Sequence, residues 1–144
     1  MIDMYALNST EVRKDFSAVI DKVVREKPVF IKRTRDHMLL SDVRFMEAVL
    51  NEYTFSAERF TEDDGSITLS LSEIDLVENA PTVAECIKAL AQSILDYADD
   101  FYREYSYWSS APNRKTHIPY VFKALILGDA EKVGAIIQCR DGQN

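Results

Sequence analysis

Two stretches near the N-terminus decide the fold of this chain: residues 8–24, NSTEVRKDFSAVIDKVV, and residues 28–35, PVFIKRTR. The first predicts a helix, because Asn8 is a good acceptor for the unpaired amide hydrogens of a starting helix. Apolar residues recur along it at helical spacing and predict one buried face: Val12, Phe16, Val19, Ile20, Val23 and Val24. Pro28 is expected to end the helix, and the β-branched and aromatic run that follows predicts a strand.

Basic residues mark both elements. Arg13 and Lys14 fall in the first turns of the predicted helix, and Lys32, Arg33 and Arg35 fall at the end of the predicted strand. Such residues can simply form a solvated face that keeps a small domain soluble. They can equally form a surface that meets phosphate groups, because arginine presents a planar fork of donors that matches phosphate or a guanine edge. The residues alone leave both interpretations open.

The order of these elements resembles the prevent-host-death (Phd/YefM) family of antitoxins over roughly the first third of the chain. The matching pieces are a first strand Met4–Leu7, a helix start Thr10–Arg13, Phe16-Ser17, a strand end Ile31–Arg33, a second strand Met38–Ser41 and a short helix from Asp42 to Glu52. The resemblance implies a β-α-β-β-α domain that dimerises and binds operator DNA. It also implies that Arg13 and Arg33 contact the DNA, with Thr10, Lys14, Lys32 and Arg35 beside them.

The rest of the chain predicts a second, α+β domain with a β-hairpin and three helices. Alternating strands flank the turn signal Asp63-Asp64-Gly65. The remaining predicted elements are a short strand Ile74–Val77, a Thr82-capped helix with an apolar stripe from Val83 to Tyr105, a loop 109–115, a helix Ile118–Leu127 ended by Gly128, and a last helix from Asp129 through Ile137, with about five frayed residues after it. This order resembles the partial ribonuclease-H-like fold of HicB-type antitoxins.

Charge divides the chain in the same way. Residues 1–50 carry nine Lys/Arg and eight Asp/Glu, a net charge of +1, whereas residues 51–144 carry eight and sixteen, a net charge of −8. The acidity of the whole chain therefore comes from its second part. We expect residues 1–52 to bind DNA and residues 53–144 to bind a basic protein partner.

No catalytic or metal-binding constellation stands out in the sequence. Asp96, Asp99, Asp100 and Glu104 are typical of a solvated helix face, and His37 and His117 lack a nucleophile at a telling spacing. The expected protein is therefore not an enzyme and needs no cofactor. Without an apolar run of about 20 residues or a signal-like N-terminus, it is expected in the cytoplasm, away from membranes.

Together these features predict an antitoxin of a type II toxin–antitoxin system: a homodimer that neutralises a basic toxin, such as a RelE-like endoribonuclease, and represses its own operon. One departure matters. Phd-type antitoxins usually end in a disordered tail that folds on the toxin, whereas residues 53–144 predict a folded domain, so that mode of neutralisation does not carry over. The alternative is a protein-interaction module that keeps the antitoxin fold without binding DNA.

Overall fold

The chain forms two compact units, Met1–Val49 and a second unit that begins at Leu50. The computed structural model describes residues 1–142. Within that range the protein is mixed α+β, with eight α-helices, one short 3-10 helix and seven strands in two sheets. The mixed class agrees with the sequence prediction. The functions assigned to the two predicted domains, and their boundary at residue 52, stay predictions.

The first unit is a three-stranded sheet with short helices. Its elements are α1 (Ile2–Tyr5), β1 (Leu7–Asn8), α2 (Ser9–Lys14), α3 (Phe16–Arg25), β2 (Val29–Arg33), β3 (Asp36–Leu40) and α4 (Val43–Val49). Strand β1 runs parallel to β2, and β3 pairs antiparallel with β2. The predicted first strand Met4–Leu7 is wrong over most of its length, because the residues before Ala6 form a helical turn and only Leu7–Asn8 pair with β2.

The helix predicted over residues 8–24 is in fact two helices, α2 and α3. Asn8 caps the first as expected, since its Oδ1 accepts a hydrogen bond from the Thr10 amide (2.9 Å). Asp15 then breaks the run: its backbone leaves the helical region (φ −144°, ψ 69°), and its carboxylate accepts from the Ala18 amide (3.2 Å) as the cap of α3. A short acidic side chain bonds locally to backbone amides, so it can start a new helix inside an apolar periodic stretch.

The second unit is built on a four-stranded sheet in the order β6-β5-β4-β7. Its elements are β4 (Phe55–Thr61), β5 (Ile67–Leu71), β6 (Leu76–Ala80), α5 (Val83–Arg103), α6 (Tyr105–Ser110), the 3-10 turn Lys115–His117, α7 (Ile118–Leu127), α8 (Ala130–Ala135) and β7 (Ile137–Asp141). Helix α5 supplies much of a core that also includes Phe55, Leu69 and Val121, all at most 1% exposed.

Local signals in the second unit are confirmed where a single residue carries them. Gly65 adopts a positive φ of 86° in the β4–β5 turn, and Gly128 adopts 83° at the end of α7. Thr82 Oγ1 accepts from the Glu85 amide (3.2 Å), and Asp129 Oδ1 accepts from the Lys132 amide (2.8 Å), as predicted for the caps of α5 and α8.

Three predictions for the second unit are wrong. The third strand is Leu76–Ala80, two residues later than expected, because Ile74 lies in the preceding turn with its side chain buried. The long helix ends at Arg103 and α6 follows, which makes four α-helices instead of three. Helix α8 stops at Ala135, and Ile137–Asp141 form β7, parallel to β4.

Residues at the end of β7 show why the predicted fraying fails there. Ile137 is buried, its position pairs with Phe55 of β4, and the Gly142 amide donates to the Arg59 carbonyl (2.8 Å). Arg140 to Gly142 are therefore paired with the sheet. The part of that prediction that concerns residues 143 and 144 lies outside the described residues.

Where the second unit starts can be tested with two fragments. Leu50 is 4% exposed, Lys123 Nζ donates to its carbonyl (3.2 Å), and the Tyr53 ring meets Tyr120 edge-on at 5.3 Å. We expect fragment 50–144 to unfold cooperatively in urea. Fragment 53–144 should be less stable by about 1.5–3 kcal/mol, the contribution of one buried leucine. Equal stabilities would place the start of the unit after Leu50.

Candidate nucleic-acid and partner surfaces

The residues predicted to contact DNA lie along α2 and around the end of β2. Thr10 is the second residue of α2, and Arg13 and Lys14 are in its last turn, all three exposed. Lys32 and Arg33 end β2, and the register pairs Asn8 with Lys32. The start of α2 therefore lies beside the basic end of β2. The candidate residues on α2 and those on β2 are in this way brought to the same end of the sheet.

The β2–β3 turn carries the last of these residues. Arg35 is exposed and follows Thr34, whose positive φ of 54° makes the tight reversal between paired Arg33 and Asp36. A non-glycine residue in this conformation is uncommon and signals a turn that the flanking strands impose. The reversal holds the Arg35 backbone at the tip of an exposed hairpin.

Two of the basic residues predicted to contact DNA form ion pairs with carboxylates of the first unit. Lys32 Nζ lies 3.3 Å from Asp3 Oδ1, and Arg33 Nη2 lies 3.3 Å from Asp36 Oδ2. His37 Nε2 is 2.7 Å from the same Asp3 oxygen. The hydrogen bond from His37, followed by that from Lys32, lowers the pKa of Asp3. Asp3 therefore stays ionised and offsets the positive charge of Lys32. The two residues lie 29 positions apart in the sequence, and no local pattern predicted their pairing.

The other three basic candidates are not paired in this way. Within residues 1–142, Arg13, Lys14 and Arg35 take part in no ion pair. Their charge is therefore free to act on an approaching anion. Of the five basic residues predicted to contact DNA, three therefore form no ion pair within residues 1–142, and two would have to exchange a carboxylate for a ligand.

Half of the apolar face predicted for the first helical region is exposed instead of buried. Val12, Val19 and Val23 are at most 9% exposed, as predicted, whereas Phe16, Ile20 and Val24 are 50%, 43% and 49% exposed. The exposed three follow at intervals of four residues and so form one row along α3. A contiguous apolar row of this kind is typical of a protein interface.

A partly buried polar chain lies inside the second unit, and no sequence pattern predicted it. Arg114 Nη1 donates to Tyr97 Oη (3.1 Å), and Tyr97 Oη lies 2.6 Å from His117 Nδ1. Where Tyr97 donates its single hydrogen to Nδ1, His117 is the neutral tautomer protonated on Nε2. That nitrogen faces Asp75 at 3.9 Å. Burial, then the charge of Arg114, lowers the pKa of His117.

Comparisons with known proteins identify the class of the chain. The family described as "antitoxin of toxin-antitoxin, RelE / RelB, TA system" (PHD_like) matches residues 3–139. A crystal structure from Syntrophomonas wolfei subsp. wolfei, of the antitoxin part of a proposed toxin/antitoxin system, superposes with a TM-score of 0.90 at 35% identity. The alignment covers 95% of this chain and 99% of the other. A search of curated proteins found no match.

This chain belongs to that antitoxin family, and membership implies a toxin as its partner. The match extends through both units, so the acidic second unit is part of the family's own architecture. Among residues 1–142, none of the helices combines the length and apolar character that a membrane crossing requires.

The buried histidine predicts a pH dependence of stability. His117 is 3% exposed, and its pKa lies below the ordinary value of 6.5, so the unfolded chain binds a proton that the folded chain resists. Stability is therefore fully present above pH 6.5 and falls as the pH drops below it, by at most about 1.4 kcal/mol per pH unit for one proton.

The expected measurement is urea unfolding of the wild-type chain and of His117→Gln between pH 5 and pH 8. The variant should be less stable at pH 8, where it loses the hydrogen bond between Tyr97 and His117, and the difference should shrink toward pH 5. A difference that is constant across this range would show that His117 does not titrate with unfolding.

Proposed function

We propose that this protein is an antitoxin that neutralises a basic toxin through its second unit and represses its own operon through its first. The observation that carries the proposal is that charge and structure divide together. The net charge is +1 up to Leu50 and −8 after it, and the structural division falls between Val49 and Leu50. Opposite charge preferences on separate units suit two ligands of opposite sign.

Binding of operator DNA is assigned to the exposed cations of the first unit. Arg13 forms no ion pair within residues 1–142, and the Arg33 side chain is 71% exposed, so both guanidinium groups can reach a phosphate or a base edge. Thr10, Lys14, Lys32 and Arg35 supply further phosphate contacts along the same elements. A single copy offers few contacts, so a symmetric dimer on a palindromic site is the effective form. This arrangement follows the Phd/YefM resemblance of the segment.

Dimerisation is assigned to the exposed apolar row Phe16, Ile20 and Val24. The buried core of the first unit consists of four valines, which is little for a unit of 49 residues. Packing the row against a second copy would remove three large side chains from water and enlarge that core. Because the row lies on the helix that follows α2, it would also fix the position of the two DNA-contacting surfaces relative to each other.

Toxin neutralisation is assigned to the acidic second unit. A RelE-like endoribonuclease must bind RNA and therefore carries a basic surface, which a unit with eight excess negative charges attracts. The antitoxin acts by occupying that surface and needs no catalysis or cofactor of its own. The cytoplasm, where operator and toxin meet, is the expected location.

A second candidate is a toxin-binding module that does not bind DNA. The ion pairs Lys32–Asp3 and Arg33–Asp36 favour this candidate, because they already engage two of the side chains that were predicted to contact DNA. The two candidates differ only in the role of the first unit, so a DNA-binding measurement separates them.

The DNA-binding assignment predicts the effect of replacing both arginines. Arg13→Ala/Arg33→Ala should weaken binding to the upstream region of the protein's own gene by at least about tenfold, since each good arginine contact is worth about 1–3 kcal/mol. The melting temperature should hardly change, because exposed ion pairs contribute little to stability. Gel retardation at about 50 mM salt, where electrostatic binding is strongest, measures the affinity.

The matched control is Arg25→Ala/Lys27→Ala, which removes the same charge from exposed positions of the same unit. It should retain most of the affinity. If both double variants lose affinity equally, binding depends on net charge alone. If the wild-type protein does not retard its own upstream DNA, the second candidate is correct.

The dimer assignment predicts the effect of a charge on α3. Ile20→Asp should turn the dimer into a monomer at micromolar concentration and abolish DNA retardation, because a carboxylate in an apolar interface loses its hydration. Light scattering after size exclusion measures the mass, and far-UV circular dichroism checks the fold. Val77→Asp, at a 60% exposed valine of the second unit, should remain dimeric. A monomeric wild-type protein would contradict the assignment.

A further inference from the structure

The end of α5 and the following helix α6 expose a group of aromatic side chains. Tyr102, Tyr105 and Tyr107 are 58%, 38% and 70% exposed, and Trp108 is half-buried beside them. We call these four residues the aromatic patch. The sequence places Tyr105 on a buried helical stripe, but the break at Glu104 separates α5 from α6 and turns the ring outward.

The aromatic patch is fixed to the core of the second unit. The Trp108 ring stacks on buried Phe101, with ring centres 6.2 Å apart and planes 21° from parallel. Tyr107 meets Trp108 edge-on at 5.5 Å, and Tyr102 and Tyr105 each meet Phe122 at 6.1 Å. Rings held in this way lose little further freedom on binding, which favours an energetically important contact.

Arg114 packs against the Trp108 ring of the patch. Its guanidinium carbon lies 5.5 Å from the Trp108 ring centre, and its Nη1 is engaged with Tyr97. An open pocket of about 370 Å³ lies there, lined by Tyr107, Trp108, Ser110, Ala111 and Arg114. Tryptophan, tyrosine and arginine around a pocket are the residues most often found at the energetic centre of protein interfaces.

The charge beside the patch selects its partner. Residues 96–114, which include the pocket residue Arg114, contain four carboxylates and two arginines, a net charge of −2. Arg103 already pairs with Asp99 (2.9 Å), whereas neither Asp100 nor Glu104 forms an ion pair within the described chain. Glu104 directly precedes α6, and Asp100 lies one helical turn earlier, so both acids are close in sequence to the exposed rings. Aromatic faces and carboxylates attract lysine and arginine side chains through cation–π and ionic contacts.

The same charge disfavours the other occupants. Nucleic acid could stack its bases on the rings, but its phosphates would meet Asp100 and Glu104. A second copy would bring a net charge of −2 against an equal charge. A partner with positive side chains is attracted both by the aromatic rings and by the carboxylates.

We propose that the aromatic patch, with Asp100 and Glu104, is the surface that binds the lysine- and arginine-rich face of the toxin. The pocket beside Trp108 receives one anchoring side chain, and the carboxylates speed the encounter and select positive charge. This inference rests on the proposed function, because it names the place on the second unit where toxin neutralisation occurs.

Trp108 is the single tryptophan of the chain and provides a direct probe. Full-length protein labelled with 5-fluorotryptophan gives one ¹⁹F resonance, which unlabelled partner cannot obscure. The partner in the titration is the purified product of the gene adjacent to that of this chain. Formation of the complex should shift or broaden the Trp108 resonance, and the association rate should fall as salt rises.

Two variants test the residues. Tyr107→Ala should weaken the complex by at least about tenfold, and Asp100→Lys should slow association several-fold. The second change places a positive charge near the C-terminus of α5, where it suits the helix dipole, and far-UV circular dichroism checks that the fold is kept. The matched controls are Tyr5→Ala, a 61% exposed tyrosine of the first unit, and Asp63→Lys, an exposed acid in the β4–β5 turn.

Each outcome decides the matter. A shifted resonance with losses confined to Tyr107→Ala and Asp100→Lys supports the proposal. A complex that forms without changing the Trp108 resonance, or that all four variants weaken equally, overturns it and leaves the proposed function intact. If the wild-type protein and the adjacent gene product form no complex, the proposed function fails as well. A resonance that responds to a single-stranded oligonucleotide, or to protein concentration alone, and not to the toxin assigns the patch to nucleic acid or to a second copy.

Discussion

The small core of the first unit is the constraint on which the rest of the molecule depends. Four valines form its buried centre, and the apolar row on α3 faces outward. A unit of this size gains little from burying its own surface, so its stability and its association with a second copy would be two aspects of one equilibrium. In that case DNA affinity would depend on protein concentration, because the proposed dimer would be the form that binds DNA. Repression would then respond to how much antitoxin the cell holds.

The second unit follows the opposite physical logic. Its fifteen-residue buried cluster is anchored by α5, and its aromatic side chains are already packed before any partner arrives. A disordered tail that folds on a toxin spends part of its interaction energy on becoming ordered. A folded surface avoids that cost, but it can cover only a compact region of the partner. Neutralisation by this unit would therefore work by blocking one basic face and not by wrapping around the toxin.

Sequence signals that act within one helical turn or one β-turn predicted the structure well. Asn8, Thr82 and Asp129 cap helices and Gly128 ends one, as their side chains or backbone freedom require. The wrong predictions concern residues at which two local signals compete, or residues whose partner lies far away in the sequence. Asp15 caps a new helix inside an apolar periodic stretch, and Ile137 joins β4 across about 80 residues in place of extending α8. The pairing of Asp3 with Lys32 and His37 likewise depends on how β1, β2 and β3 come together, which no local pattern reveals.

The paired cations of the first unit also shape how it would respond to salt. A lysine in water that meets a phosphate releases condensed counterions, which makes binding strongly salt-dependent. Lys32 and Arg33 would instead exchange a carboxylate for a phosphate, because Asp3 and Asp36 already occupy them. Such contacts would release fewer ions than contacts of Arg13 or Lys14, which form no ion pair within the described residues. The salt dependence of the DNA-binding constant would then indicate fewer phosphate contacts than the complex contains. The difference would correspond to the ion pairs that DNA displaces.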